Sequence, residues 1–284
     1  VYKRQAIRVR RSSDNTELNI GFTANGDFDT TALKSFVGMG NGFVTTWFDQ
    51  SGNARNITQT TTSKQPAIIN AGVIYRKNGM PTVFYDNSDD GLGFAGAAYL
   101  NATPLTVNTV AGSNSNSTAA RRVVAGNPGS WLLGPYQNSD GWFADSWNKL
   151  LATPWSITNA EVFTVIEPVS NSNSSYRNGT SQVVSNAKGV PGRVNTGTSG
   201  NGEVADASIS ELLAFNTDLS LSNRERLESN QGQYYKIVVQ TTGTVIYTQP
   251  DTSPQTVCIG GTGSPLSCLL YTSPSPREAH ATRM

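Results

Sequence analysis

The chain has 284 residues, of which 14% are charged and 9% aromatic, with 27 glycines, two cysteines and one histidine. With 21 basic against 20 acidic residues it offers no basic field for nucleic acid, and no apolar run is long enough to suggest insertion in a membrane. Few charges among abundant Gly, Asn, Ser and Thr point away from a helical cytosolic enzyme and toward a many-turned secreted β protein.

The two ends of the chain read differently from the rest. Val1-Tyr2-Lys3-Arg4-Gln5 and Cys268-Leu269-Leu270-Tyr271-Thr272 can be encoded by the two strands of one inverted DNA repeat. Both resemble the transposon end of a sequencing adapter, and residues 273–277 resemble its continuation. Residues 1–5 and 268–284 are therefore set aside and expected to stay unpacked, with both natural ends lying outside the fragment. His280 and Cys268 go with them, so a histidine triad or a histidine-ligated metal is not open to the remainder. Cys258 alone cannot close a disulfide, and the charge balance becomes 17 basic to 19 acidic.

Taken in order, residues 6–11 alternate Ile7 and Val9 with Arg8, Arg10 and Arg11. This suits an edge strand whose cations discourage further pairing, or a site for phosphate or an acidic sugar. Residues 17–22 form the next strand; Asp29 or Thr30 caps a helix over 31–37 that Gly38 ends. Residues 43–48 are aromatic and β-branched, and Asp49-Gln50-Ser51-Gly52-Asn53 is turn chemistry that stops them. Strict alternation puts Phe43, Thr45, Trp47 and Asp49 on one side and Val44, Thr46 and Phe48 on the other. Asp49 then leaves the sheet beside Trp47, either as a turn cap or as a sugar ligand.

Strands over 67–75 and 81–86 flank a hairpin-type turn at Lys77-Asn78-Gly79. Asp86, Asp89 and Asp90 form an acidic solvated turn or a weak Ca²⁺ candidate without the spacing of an EF-hand loop. Short strands follow over 106–111, 121–125 and 131–133, with a polar loop at 112–118. Residues 136–155 concentrate Tyr136, Trp142, Phe143, Trp147 and Trp155 among Asn138, Asp140, Asp145 and Asn148. Aromatic rings stack on sugar C–H faces while short amides and carboxylates bond hydroxyls. Asp49, Trp142 and Trp147 are therefore the candidate carbohydrate-binding residues, with Trp142 and Phe143 alternatively in the core. Residues 161–169 read as a core strand, and Asn178-Gly179 as a hairpin apex. In 207–215, Glu211 falls on the apolar phase, marking a face switch or a buried acid with a partner. Ser222 and Glu225 suggest a capping box for a helix to residue 235, with Leu227 and Tyr234 two turns apart. Residues 238–267 turn Thr-, Gly- and Pro-rich, as a linker and the start of another domain would be.

Three stretches carry a family signal: Ala6-Ile7-Arg8-Val9-Arg10-Arg11-Ser12-Ser13-Asp14-Asn15, Phe43-Val44-Thr45-Thr46-Trp47-Phe48-Asp49-Gln50-Ser51-Gly52-Asn53, and Ser208-Ile209-Ser210-Glu211-Leu212-Leu213-Ala214-Phe215-Asn216. Together they resemble the concanavalin A-like, laminin-G-like jelly rolls, nearest to arabinofuranosidase B catalytic domains, over residues 6–237. The resemblance implies an all-β, two-sheet antiparallel jelly-roll sandwich with one or two short helices. Retaining furanosidases need two carboxylates about 5 to 5.5 Å apart, inverting ones roughly 6.5 to 9.5 Å. The enzymes' Gly-Asn-Ala-Glu-like and Gly-Gly-Asp-Asn-like stretches correspond here to Tyr136-Gln137-Asn138-Ser139-Asp140 and Ser199-Gly200-Asn201-Gly202-Glu203, which depart from that pattern. Asp140 and Glu203 are the fallback catalytic pair, and the vicinal cysteines of the enzymes' arabinose pocket are absent. Gln255-Thr256-Val257-Cys258-Ile259-Gly260-Gly261-Thr262 resembles the start of an immunoglobulin-like repeat of secreted bacterial surface proteins.

The function expected is an extracellular carbohydrate-binding or adhesive, lectin-like module of a multidomain protein at a bacterial cell surface. Its partner would be a glycan or polysaccharide, its tether immunoglobulin-like repeats, and its cofactors none beyond a structural calcium. An α-L-arabinofuranosidase-type glycoside hydrolase is the alternative, and a phage tail or fibre binding domain on a virion surface a further one.

Overall fold

Short runs of β-branched and aromatic residues, each stopped by Gly, Asn or Asp, pair as antiparallel strands of two stacked sheets. The computed structural model describes residues 5–116, 122–170, 172–197 and 203–242, and the backbone of strands Gln255–Cys258, Cys268–Tyr271 and His280–Arg283. The large sheet runs, in spatial order, Thr180–Gln182, Ser174–Arg177, Glu161–Glu167, Leu105–Ser113, Ala207–Phe215, Val83–Phe84, Ala67–Asn70, Gly42–Trp47, Gln5–Arg11 and Glu17–Gly21. The small sheet runs Gly91–Leu92, Val194–Gly197, Val124–Gly126, Trp131–Tyr136, Ser139–Ala144 and Trp147–Leu151. Between them lies one core, in which Ile7, Val44, Trp47 and Phe163 of the large sheet meet Val124, Trp131, Leu133 and Trp142 of the small one. The fold is an all-β sandwich, as the sequence predicts. Asn78-Gly79 and Asn178-Gly179 have positive φ at both residues, the geometry of tight hairpins.

Among the described residues two α-helices accompany the sheets, and neither is long and apolar enough to cross a membrane. Helix α1 (Thr30–Val37) starts where the Asp29 side chain accepts from the Ala32 N–H at 2.9 Å, and it buries Leu33 and Val37. Helix α2 (Leu221–Tyr235) lies against the outer face of the large sheet, and its contact is mostly polar. Gln231 and Asn108 exchange amide hydrogen bonds of 2.6 and 3.1 Å, and Thr164 donates to Glu228 at 2.6 Å. Arg224 pairs with Glu228 and lies 3.7 Å over the Tyr176 ring.

Four expectations are corrected. Gln5–Arg11 is no edge strand, since it pairs with Glu17–Gly21 on one side and Gly42–Trp47 on the other. Arg10 is instead buried, donating to Gln65 and Asn15. Strict alternation also fails in Gly42–Trp47. A register shift pairs Val44 with Val9 and Trp47 with Ile7, so that both face the core although they are three residues apart. The capping box gives way to a cap two residues earlier: Ser220 accepts from Asn223 N–H, while Glu225 accepts from Thr242 N and Oγ1. Finally, the chain's end is not unpacked throughout, because His280–Arg283 pairs with residues 211–214 and Cys268–Tyr271 with Gln255–Cys258. Residues 1–4, 117–121 and 198–202, and most of 243–284, lie outside the described residues.

Candidate functional site

The meander of Trp131–Tyr136, Ser139–Ala144 and Trp147–Leu151 separates its side chains into two chemically distinct faces. Leu133 pairs with Trp142 and Trp142 with Lys149, and all three point into the core. Phe143 alternates outward from Trp142, and a register shift after Trp142 pairs it with Trp147, turning the Trp147 ring to the same side. Gln137 and Asn138, with φ of 49° and 62°, make the tight turn that brings Tyr136 to the same face.

On that outer face the Tyr136 and Trp147 rings lie 4.6 Å apart at 56°, and Phe143 meets Trp147 edge-on at 5.3 Å. Gly134 and Gly141 pair beside them. A Cβ on Gly141 would stand 3.0 Å from Trp147 Cζ3 and 2.9 Å from Gly134 O, so glycine is what allows the indole to lie down on the strand. The Ser185 hydroxyl donates to Trp147 O at 2.7 Å and Ser185 N–H to Asn148 O at 2.8 Å, bracing the edge. Of the five tryptophans, Trp147 is half-buried while Trp47, Trp131, Trp142 and Trp155 are sealed. The result is an uncharged aromatic surface able to stack on a ligand's apolar face.

The opposite face is ionic and closed. Lys149 Nζ sits 3.0 Å from each carboxylate oxygen of Asp140, and the Trp155 indole N–H donates to Asp140 at 2.9 Å. Arg177 lies 3.9 Å away and is itself held by Glu161 at 2.7 Å. Asp140 is 1% exposed and Lys149 2%. Burial pushes the Lys149 ammonium below its ordinary pKa, which Asp140 partly restores and Arg177 lowers further. Glu203 has a different partner, the Arg122 guanidinium, which also donates to Trp131 O. The two fallback carboxylates thus belong to separate ion pairs.

The other candidates fare differently. Trp142 is corrected: it is fully buried between the sheets and has no face to offer a sugar. Asp49 caps its own turn, accepting from Ser51 N–H and Oγ at 2.8 Å each and from Arg55 N–H at 3.0 Å. It borders a cavity of about 30 Å³ with Arg55, Ile57, Tyr99, Val194 and Leu212, which is space for one water and not for a sugar. None of these residues belongs to the aromatic face. Asp86, Asp89 and Asp90 do not converge on a cation, and the described residues contain no cluster of three metal-ligating side chains. Asp90 is turned inward, accepting from Asp86 N–H; Asp89 faces Lys64 at 3.9 Å; Asp86 accepts from Ser88 N–H. Burial, then the neighbouring Asp86, pushes the Asp90 carboxyl up to about 7.

The sequence reading missed the two glycines and the outward phase of Phe143. Gly134 and Gly141, set among the aliphatic and aromatic residues of 131–144, were the available signal, because a glycine inside a strand marks close approach.

Searches against family models and against curated proteins found no match. Solved structures do share the fold. One is a mutant of a GH54 α-L-arabinofuranosidase soaked with 4-nitrophenyl α-L-arabinofuranoside, at a TM-score of 0.58 and 16% identity over 87% of this chain and 63% of that one. Another is a GH54 α-L-arabinofuranosidase soaked with a cyclic sulfate inhibitor, at 0.59 and 16% over 90% and 64%. A third, an arabinofuranosidase complexed with arabinofuranosyl-α-1,2-xylobiose, gives 0.55 and 16% over 90% and 64%. The chain therefore spans less than two thirds of the length of each of these enzymes, and the likeness is one of β-sandwich fold.

Proposed function

We propose that this sandwich is a carbohydrate-binding or adhesive module, built on a concanavalin A-like jelly roll and displayed outside the cell within a longer protein that continues into immunoglobulin-like repeats. The observation that carries the reading is the outward cluster of Tyr136, Phe143 and Trp147 on a glycine-floored sheet face. Stacking rings of this kind bind a ground-state sugar without any need for reacting carboxylates. The fold shared with an arabinofuranosidase complexed with arabinofuranosyl-α-1,2-xylobiose supports a sugar ligand.

The same likeness favours one alternative, an arabinofuranosidase-type glycosidase using Asp140 and Glu203. Against it stands the carboxylate of Asp140, occupied by Lys149 and Trp155 and closed to solvent. Affinity electrophoresis of the chain in polysaccharide gels, together with an assay on an arabinofuranoside, separates the two. Retardation that is lost in Trp147→Ala without hydrolysis in the parent is the expected result. Hydrolysis by the parent that is abolished in an Asp140→Asn or Glu203→Gln variant shown by thermal unfolding to be folded would establish the enzyme instead.

A further inference from the structure

The strands Trp131–Tyr136, Ser139–Ala144 and Trp147–Leu151 carry two charged residues between them, Asp140 and Lys149, and both turn inward to pair with each other. The outer face is left with aromatic, glycine and aliphatic groups, and the turn beside it exposes the acidic Asp145. Its apolar strip extends past Trp147 to Leu150, which pairs with Gly141 and is 45% exposed. Hydroxyl and amide groups of Ser139, Gln137 and Asn138 stand at the rim, the first half-buried and the others exposed.

From this geometry we infer that the face takes an extended, neutral polysaccharide side-on, laying the C–H face of a pyranose ring on the Trp147 cluster, with Tyr136 tilted against its flank. The inference rests on the carbohydrate-binding reading above and adds the class of ligand. Charge decides the first half of it. An acidic glycan brought to this face meets no cation among its strands, since Lys149 is committed on the other side, and it meets Asp145 at the margin. Shape decides the second half. A terminal sugar needs an enclosing pocket, whereas an open sheet surface carrying a ring cluster contacts the flank of a chain. Longer chains then gain burial at Leu150 that a single sugar on Trp147 cannot reach.

The test is isothermal titration calorimetry of the full chain with glucose, then with cellobiose, cellohexaose, xylohexaose and mannohexaose as neutral probes, and hexagalacturonate as the acidic one. At least one neutral hexaose is expected to bind about tenfold more tightly than its disaccharide, with little change between low and high salt. Trp147→Ala and, independently, Tyr136→Ala should each weaken that binding about tenfold or more while thermal unfolding shows the variant folded. Equal affinity for glucose and a hexaose, a salt-sensitive preference for hexagalacturonate, or undiminished binding by both folded variants would overturn the inference while leaving carbohydrate binding standing. No binding of any probe, with none in a polysaccharide gel, would overturn both.

Discussion

Asp140 and Lys149 illustrate what a charge costs at the level of a single residue in this sandwich. Each is withdrawn from water, and each is tolerated because the other, with Trp155 and Ser175, satisfies its hydrogen bonds. Asp140→Asn leaves a buried ammonium without its counter-charge and is expected to destabilise the chain by about 3 to 5 kcal/mol. The double change Asp140→Leu with Lys149→Met, which removes both charges, should cost far less, and urea unfolding of both variants measures the difference. Glu167 is buried and, among the described residues, forms no ion pair. Burial pushes its carboxyl from 4.5 up to about 7, against hydrogen bonds from Trp131 and the Gly189 backbone that pull it down. Between those values the folded state holds a proton that the unfolded state has lost, so stability falls as pH rises from 4.5 to about 7 and then levels. Asp90 acts in the same direction, from 3.8 to about 7. Glu167→Gln is therefore expected to remove part of the decline, on the order of 3 kcal/mol, when unfolding is followed at pH about 4 and about 8. An unchanged decline in the variant would assign it to other groups.

At the scale of elements, periodicity located both helices and the long strands of the large sheet, because alternation and turn residues act within a few positions of each other; it did not locate Gly91–Leu92, Ser139–Ala144, Trp147–Leu151 or Val194–Gly197 of the small sheet. Asn78-Gly79, Asn178-Gly179 and the Asp29 cap were legible for that reason. Facing was less so. The register shifts at Gly42–Trp47 and after Trp142 each change which residues share a face, and they depend on the partner strand and not on local sequence. Helix α2 shows the same limit from another side. Its apolar Leu227 and Tyr234 are only half-buried, whereas Arg224, Glu228 and Gln231 are buried against polar residues of the large sheet. A hydrophobic-pattern reading cannot anticipate a helix docked through amides and carboxylates. Gln231→Ala strands the Asn108 amide beneath the helix and is expected to cost about 1 to 3 kcal/mol. Ser220→Ala, which removes the cap, should cost about 1 kcal/mol. Equal denaturation midpoints for Gln231→Ala and the parent would show that the buried amide pair holds nothing in place.

For the whole molecule, the layering assigns the two outer faces different fates: α2 packs on the large sheet, while the aromatic side chains of the small sheet remain accessible. The composition of residues 136–155 pointed to this region from the sequence alone, yet it could not separate Trp147 from Trp142, since only the fold decides which of two nearby tryptophans faces out. Each indole is consequently a reporter of known position. Trp131 and Trp155 donate to Glu167 and Asp140, Trp47 and Trp142 are sealed in the core, and Trp147 lies on the face. The measurement that bears most directly on a carbohydrate-binding face is a titration of the indole N–H resonances with a neutral hexasaccharide by ¹⁵N-edited NMR. The Trp147 signal should shift progressively to saturation while the other four hold still; shifts confined to the other indoles, or saturation of binding with Trp147 unmoved, would contradict it.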